Sequence, residues 1–255
     1  MRRKPNPEER RRQLCDAAIR LLADDGAKGL SHLKVDRKVG VPDGTTSFYF
    51  RTRSSLLEAV ARRIADLDLQ DLTAATTTTP AAPGRPGDSR PSGLATLVIR
   101  SAAGEGLVRT KARYELALQA ARDPVLDGIL RHYTDQFFSL IRDVVLRLRS
   151  PGAPADRGAG DGVAEEAARE AARGAARGAA EETAHDETVY VVMMFISGIM
   201  FAFASGDRRV RTAEELDLLI SGIVAGVDAR VDAGLRGPAA PPRNAGSRRG
   251  RRRRA

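Results

Sequence analysis

The stretch from Ser31 to Phe50, SHLKVDRKVGVPDGTTSFYF, constrains this chain more than any other. Its spacing predicts two short helices joined by a tight turn. Ser31 is placed to cap the first, because a serine hydroxyl accepts from the free N–H groups of an opening turn. Leu30 and Val35 stand at the two ends of a hydrophobic staple, and Val35 and Val39 share one face, a turn apart. Gly40 falls where a short helix ends on a left-handed residue. A second helix beginning at Asp43 would carry Thr45, Thr46, Ser47 and Tyr49 to an outer surface. Helix, glycine-containing turn, helix is the arrangement whose second helix enters the major groove of DNA.

With its flanks included, VGVPDGTTSFYFRTRSSLLEAV resembles the helix-turn-helix signature of TetR-type transcriptional regulators. The matching positions are Gly40, Val41, Gly44, Tyr49, Phe50, Arg53 and Leu56. Two positions depart from the pattern. Pro42 stands in place of a Ser, and Ser47 in place of a Tyr that rests on the DNA backbone, so that contact is expected from Tyr49. The resemblance covers residues 8–60. It implies an all-α chain: an N-terminal three-helix DNA-binding head with the helix-turn-helix, then a larger helical ligand-binding and dimerisation domain.

By side-chain chemistry, Thr45, Thr46 and Ser47 are expected at base edges, since Thr hydroxyls bond several bases and Thr methyls pack on the thymine methyl. Ser31, Lys34, Tyr49 and Arg53 are expected at phosphates, which position a head without reading sequence. Lys38, Asp43, Gly44 and Arg51 complete the expected DNA-binding set.

The rest of the chain reads as helices with polar interruptions, and no strand pattern survives. Asn6-Pro7-Glu8-Glu9 is a helix start, and Leu14, Ala18, Leu21 and Leu22 give that helix a buried face ending before Gly26. A fourth helix, capped by Thr52 or Ser54, turns Leu57, Val60, Ile64 and Leu67 inward. Residues 76–93 are too rich in Pro and Gly for a helix. Helices resume at Leu94, and Asp123-Pro124 opens one that runs to about Arg149. Residues 150–183, with AARG twice in tandem, have too few large apolar groups to pack and read as a mobile insert. Thr212 to Glu215 is a capping box for a last helix. The divisions expected are thus a head over 1–53, a body over 54–234 and a disordered Arg-rich tail over 235–255.

Charge sharpens the functional reading. Residues 1–63 hold 15 Lys and Arg against 8 Asp and Glu, and seven more Arg lie between Arg243 and Arg254. Basic character beside a recognition helix suits double-stranded DNA. The runner-up reading, a binder of any nucleic acid driven by basic ends, leaves over a hundred residues of nearly neutral apolar helix without a purpose. An enzyme is disfavoured because His32, His132 and His185 are far apart, no phosphate loop appears, and the single Cys15 has no nearby His. No metal or cofactor is called for. Cys15 allows no intrachain disulfide, and the basic N-terminus has no apolar run behind it, which fits a cytoplasmic protein.

Two further expectations concern the body. Val189 to Ser205 carries no charge, which suits a helix buried between subunits better than a membrane span. A homodimer is therefore expected through the last two helices, about 187–204 and 212–232. Tyr114, Gln119, His132, Tyr133, Phe137, Met193 and Phe195 lie where the resembling family keeps its ligand, although each taken singly serves as well for plain core. The function expected is a repressor that binds a palindromic operator as a homodimer and is released by a small apolar organic effector.

Overall fold

The computed structural model describes residues 6–77, 91–149 and 186–235. The expected insert at 150–183, most of the loop at 76–93 and all but the first residue of the tail lie outside these. Every element among the described residues is a helix: α1 (Pro7–Gly29), α2 (His32–Val39), α3 (Thr45–Tyr49), α4 (Arg53–Thr77), α5 (Gly93–Arg100), α6 (Gly104–Ala120), α7 (Pro124–Arg149), α8 (Asp186–Ala204) and α9 (Ala213–Leu235).

Local chemistry sets most of the helix starts. Asn6 Oδ1 accepts from Glu9 N at 2.7 Å, and Ser31 Oγ accepts from Lys34 N at 3.2 Å. Thr52 and Ser55 exchange two bonds, Ser55 N donating to Thr52 Oγ1 at 3.0 Å and Thr52 N to Ser55 Oγ at 3.1 Å. Asp123 Oδ1 accepts from Val125 N and Leu126 N ahead of α7. Each pairing satisfies amides that a helix start leaves without partners. The loop expected at 76–93 is shorter than its composition suggested, since α4 continues through Thr77 and α5 starts at Gly93. Gly93 is required there, because a Cβ would lie 1.9 Å from Ala75 O where the two helices touch.

The regular run of helix α1 ends before Gly26, as its sequence suggests. Gly26 breaks it with φ 67°, and a further turn runs on to Gly29. The reason is tertiary. Ala27 N donates to Glu115 Oε2 of α6 at 3.1 Å, while Arg53 of α4 donates to Ala27 O. The peptide after the break is held from two sides.

Two apolar cores result. The first joins α1, α2 and α4 to α6 and α7 through Leu14, Leu22, Val35, Leu56, Val60, Leu116 and Leu126, all fully buried. The second gathers Leu72, Leu94, Val98, Ile141, Val192 and Leu216 from α4, α5, α7, α8 and α9. Each such side chain contributes about 1.5–3 kcal/mol by leaving water. The expected boundary at residue 53 is therefore not a gap in packing, since α1 rests on α6 of the body. Cys15 belongs to the first core at 5 % exposure, and burial, then the neighbouring Asp16, pushes its thiol up to about 12. At pH 8 its alkylation by iodoacetamide should run about a thousandfold slower in the folded than in the unfolded chain, because only thiolate reacts. Mass spectrometry reads this, and rapid labelling of the folded chain would contradict it.

Helices α8 and α9 run antiparallel, with Glu187 near the start of one paired to Arg230 near the end of the other. Thr212 Oγ1 accepts from Glu215 N at 3.2 Å, and Glu215 reaches back to Arg211 N at 3.1 Å. Among the described residues α8 alone is long and apolar enough to cross a membrane by length and composition. Val189, Val192, Ile196 and Phe203 turn one face of it into the second core.

Candidate nucleic-acid interface and ligand cavity

Helix α3 has five residues, too few to hold together by their own hydrogen bonds. A buried carboxylate does it instead. Asp36 of α2 is fully buried and takes three donors: Gly44 N at 2.8 Å, Thr46 N at 2.7 Å and Thr46 Oγ1 at 2.5 Å. An anion beneath a helix start answers its free amides and its positive end. Gly44 takes φ 91° at this turn, which a side chain would strain. The sequence reading missed Asp36, whose partners lie eight and ten residues on.

That geometry corrects one expected base contact. Thr46 is fully buried and its hydroxyl is committed to Asp36, so it faces the core rather than a groove. Thr45 is half-buried, and its hydroxyl donates to Pro42 O at 2.6 Å. The outward positions of α3 are Ser47 and Phe48, the latter 80 % exposed with its ring edge-on to Tyr49. Phe48 was not among the expected contacts, and its exposure is the signal for it. Tyr49 is half-buried, with the Arg11 guanidinium 5.6 Å from its ring centre.

Ser31, Asp43, Gly44 and Arg51 are exposed around the same helix pair. Lys34 and Lys38 pair with Asp25 and Asp24 at 3.1 and 3.4 Å. Exposed pairs of this kind are worth little, and a phosphate can replace either carboxylate. Arg53 has one Nη donor on Ala27 O, which makes it a brace of the head as well as a basic group.

Between the two cores lies a cavity of about 780 Å³, walled by α4, α5, α6, α7 and α8. Of the seven expected ligand residues, Tyr133, Phe137 and Met193 line it. Tyr114 instead ties α6 to α8, its hydroxyl donating to Ser197 O at 2.6 Å and its ring edge-on to Phe201. Gln119 stands beyond Ala117, the last lining residue of α6. His132 is exposed, with Nε2 3.1 Å from the Gln136 amide. Phe195 packs against the second core.

The cavity also holds charges that the sequence reading did not place there. Asp68 is paired with Arg113, and Arg109 Nε lies 3.4 Å from its other oxygen; Arg109 also binds Asp71. These residues sit on α4 and α6, and their pairing is set by the packing of the two helices.

A helical head offering an exposed turn of helix over a buried carboxylate, joined to a helical body around a cavity, defines a helix-turn-helix protein with a pocketed second domain. The family model described as "Tetracyclin repressor-like, C-terminal domain" matches residues 90–160. The HTH-type transcriptional regulator BetI of Burkholderia ambifaria is 39 % identical over 70 residues, 28 % of this chain and 34 % of that protein. The chain thus spans about a third of the length of the curated relatives it matches. Among solved structures, a TetR-family regulator from a Rhodococcus species aligns with TM-score 0.56 at 18 % identity over 86 % of this chain and 98 % of that one. A transcriptional regulator from Saccharomonospora viridis, solved in complex with choline, aligns with TM-score 0.56 at 15 % identity over 88 % and 96 %. The likeness to these solved structures is one of fold, an all-α head and body shared along nearly their whole length.

Proposed function

We propose that the chain is a sequence-specific DNA-binding repressor that works as a homodimer on a palindromic operator in the cytoplasm, and that a small organic ligand in the α4–α8 cavity releases it. The head at 1–53 reads DNA; the body from 54 to 234 senses and dimerises. The observation that carries this reading is the shared helix α6. It lines the cavity with Arg109, Thr110 and Arg113, and its Glu115 holds the Ala27 peptide at the edge of the head. A ligand that favours one position of α6 over another therefore acts on the orientation of the head, and only such a difference in affinity can shift the equilibrium. Helix α4, which runs from the head past the same cavity, is the second lever. The choline-bound structural neighbour shows that this fold accommodates a small molecule in that protein.

At the DNA, Ser47 and Phe48 face base edges and Thr45 stands beside them, while Ser31, Lys34, Lys38, Tyr49, Arg51 and Arg53 surround the phosphates. Phe48 suits the thymine methyl, an apolar group in the major groove. Phe48→Ala is expected to reduce discrimination at one base pair by roughly tenfold, measured as the ratio of affinities for matched and substituted duplexes; an unchanged ratio would remove Phe48 from readout.

The dimer forms through α8 and α9. Tyr190, Met194 and Phe201 on α8 and Leu218 and Leu219 on α9 are large apolar groups exposed on the protomer. Selection of duplexes from a random pool by the full chain tests the whole reading. Enrichment of a two-fold symmetric motif is expected, with half-sites about one helical turn apart. Retention of all sequences alike, lost as salt rises, would favour binding by the basic ends instead.

A further inference from the structure

Asp36 holds the start of α3, and the other end of that helix is held differently. Phe50, which caps it, is buried, and its carbonyl lies 2.7 Å from Nε2 of His32 at the start of α2. Tyr49, one residue earlier, is only half-buried. Among the described residues its hydroxyl has no hydrogen-bond partner, so it is free to donate to a phosphate oxygen. The ring below that hydroxyl is not free. The Arg11 guanidinium of α1 lies 5.6 Å from the Tyr49 ring centre and 5.5 Å from that of Phe50. Both distances fall within the reach of a cation–π attraction, about 6 Å. A guanidinium also stacks flat on such rings, which a Lys ammonium cannot do. Tyr49 meets the exposed Phe48 ring as well, edge-on, with centres 5.3 Å apart and planes at 87°, a geometry that aromatic pairs favour.

Arg11 does little else within the chain. Among the described residues its ion-pair partner is Glu8 at 3.9 Å, and the two side chains are 45 % and 74 % exposed. An exposed pair at that distance is worth little. No hydrogen bond ties the guanidinium to an acceptor among the described residues. Its contact with the two rings at the end of α3 is what remains. A tyrosine free to turn loses that freedom on reaching a phosphate, whereas one already held in place loses less and binds more tightly. On the reading that the head binds DNA, on which this inference rests, we propose that Arg11 is a positioning residue of the interface. From α1 it holds the Tyr49 ring so that the hydroxyl meets a phosphate, and through Tyr49 it steadies Phe48. Arg11 thus acts through Tyr49 and not as one more basic group, and α1 is part of the interface as well as a brace behind it.

A double-mutant cycle on the full chain separates these roles, because it isolates the coupling between two residues. The palindrome selected as above is titrated by fluorescence anisotropy, at one salt concentration, with wild type, Arg11→Ala, Tyr49→Leu and the double variant. Arg11→Ala should weaken binding roughly fivefold in the wild-type background, and less than about twofold in the Tyr49→Leu background. The melting temperatures of wild type and Arg11→Ala should agree closely, since the side chain is exposed. Unchanged affinity in Arg11→Ala would overturn the proposal. Equal losses in the two backgrounds would also overturn it, and would make Arg11 a phosphate contact in its own right. A loss of affinity matched by a fall in melting temperature would make Arg11 a structural residue, with the same consequence. Each of these results leaves the DNA reading intact. A wild-type chain that prefers no sequence would overturn that reading and this proposal together.

Discussion

Asp36→Ala is expected to abolish operator binding and to lower the melting temperature by roughly 6–12 °C. The substitution leaves Gly44 N, Thr46 N and Thr46 Oγ1 without their acceptor, two of them in the buried joint between α2 and α3. A stranded buried donor costs about 1–3 kcal/mol, so a total near 3 kcal/mol is a moderate expectation, and in a chain of this size each kcal/mol is worth about 2–4 °C. The effect on DNA should exceed the effect on stability, because α3 is five residues long and Asp36 is what ties its start to α2. The other bonds there run from Thr45 to Pro42 O within the turn itself. Asp36→Asn, which keeps one acceptor and turns an amide against the other donors, should fall between. Thermal unfolding and duplex titration of the same preparations separate the two effects. Full operator affinity in Asp36→Ala would show that α3 is held by its packing alone.

The second large effect lies at the other end of the molecule. Gly222→Arg should give monomers that bind operator roughly a hundredfold more weakly, since the second half-site is then no longer delivered at high effective concentration. Gly222 is on α9, four residues after Leu218, and a Cβ built there meets nothing within 4 Å in the protomer. Gly222 is exposed on the protomer and the first atom of a side chain there meets nothing, so loss of a helical glycine should raise protomer stability by some tenths of a kcal/mol. Light scattering and thermal unfolding together read both halves of this expectation. A variant that stays dimeric with unchanged operator affinity would move the dimer surface elsewhere.

What was legible in the sequence was local. The caps at Asn6, Ser31, Thr52, Asp123 and Thr212 act within three residues of themselves, so their chemistry can be read from neighbours along the chain. The apolar stripes of α1, α4 and α7 repeat over several turns and show their buried faces. Helix α3 does not: five residues give too little periodicity to tell an inward from an outward position, so the sequence alone cannot separate buried Thr46 from exposed Ser47. The Asp36 bonds, the grip on Ala27 and the Asp68–Arg113 pair join residues 10, 88 and 45 positions apart. Such pairings follow from how helices pack, and no single stretch of sequence contains them. The same holds for the cavity, whose lining draws on five helices while three of seven expected residues reach it.

The claim that two identical heads read one symmetric site is tested most directly by spacing. The selected palindrome and a copy with five base pairs inserted between its half-sites are titrated with wild-type chain by fluorescence anisotropy, at one salt concentration. Five base pairs rotate one half-site by about half a turn of DNA, out of reach of a head fixed to its body through Ala27. The account predicts a loss of roughly a hundredfold in affinity for the inserted duplex; equal affinity for the two would contradict it.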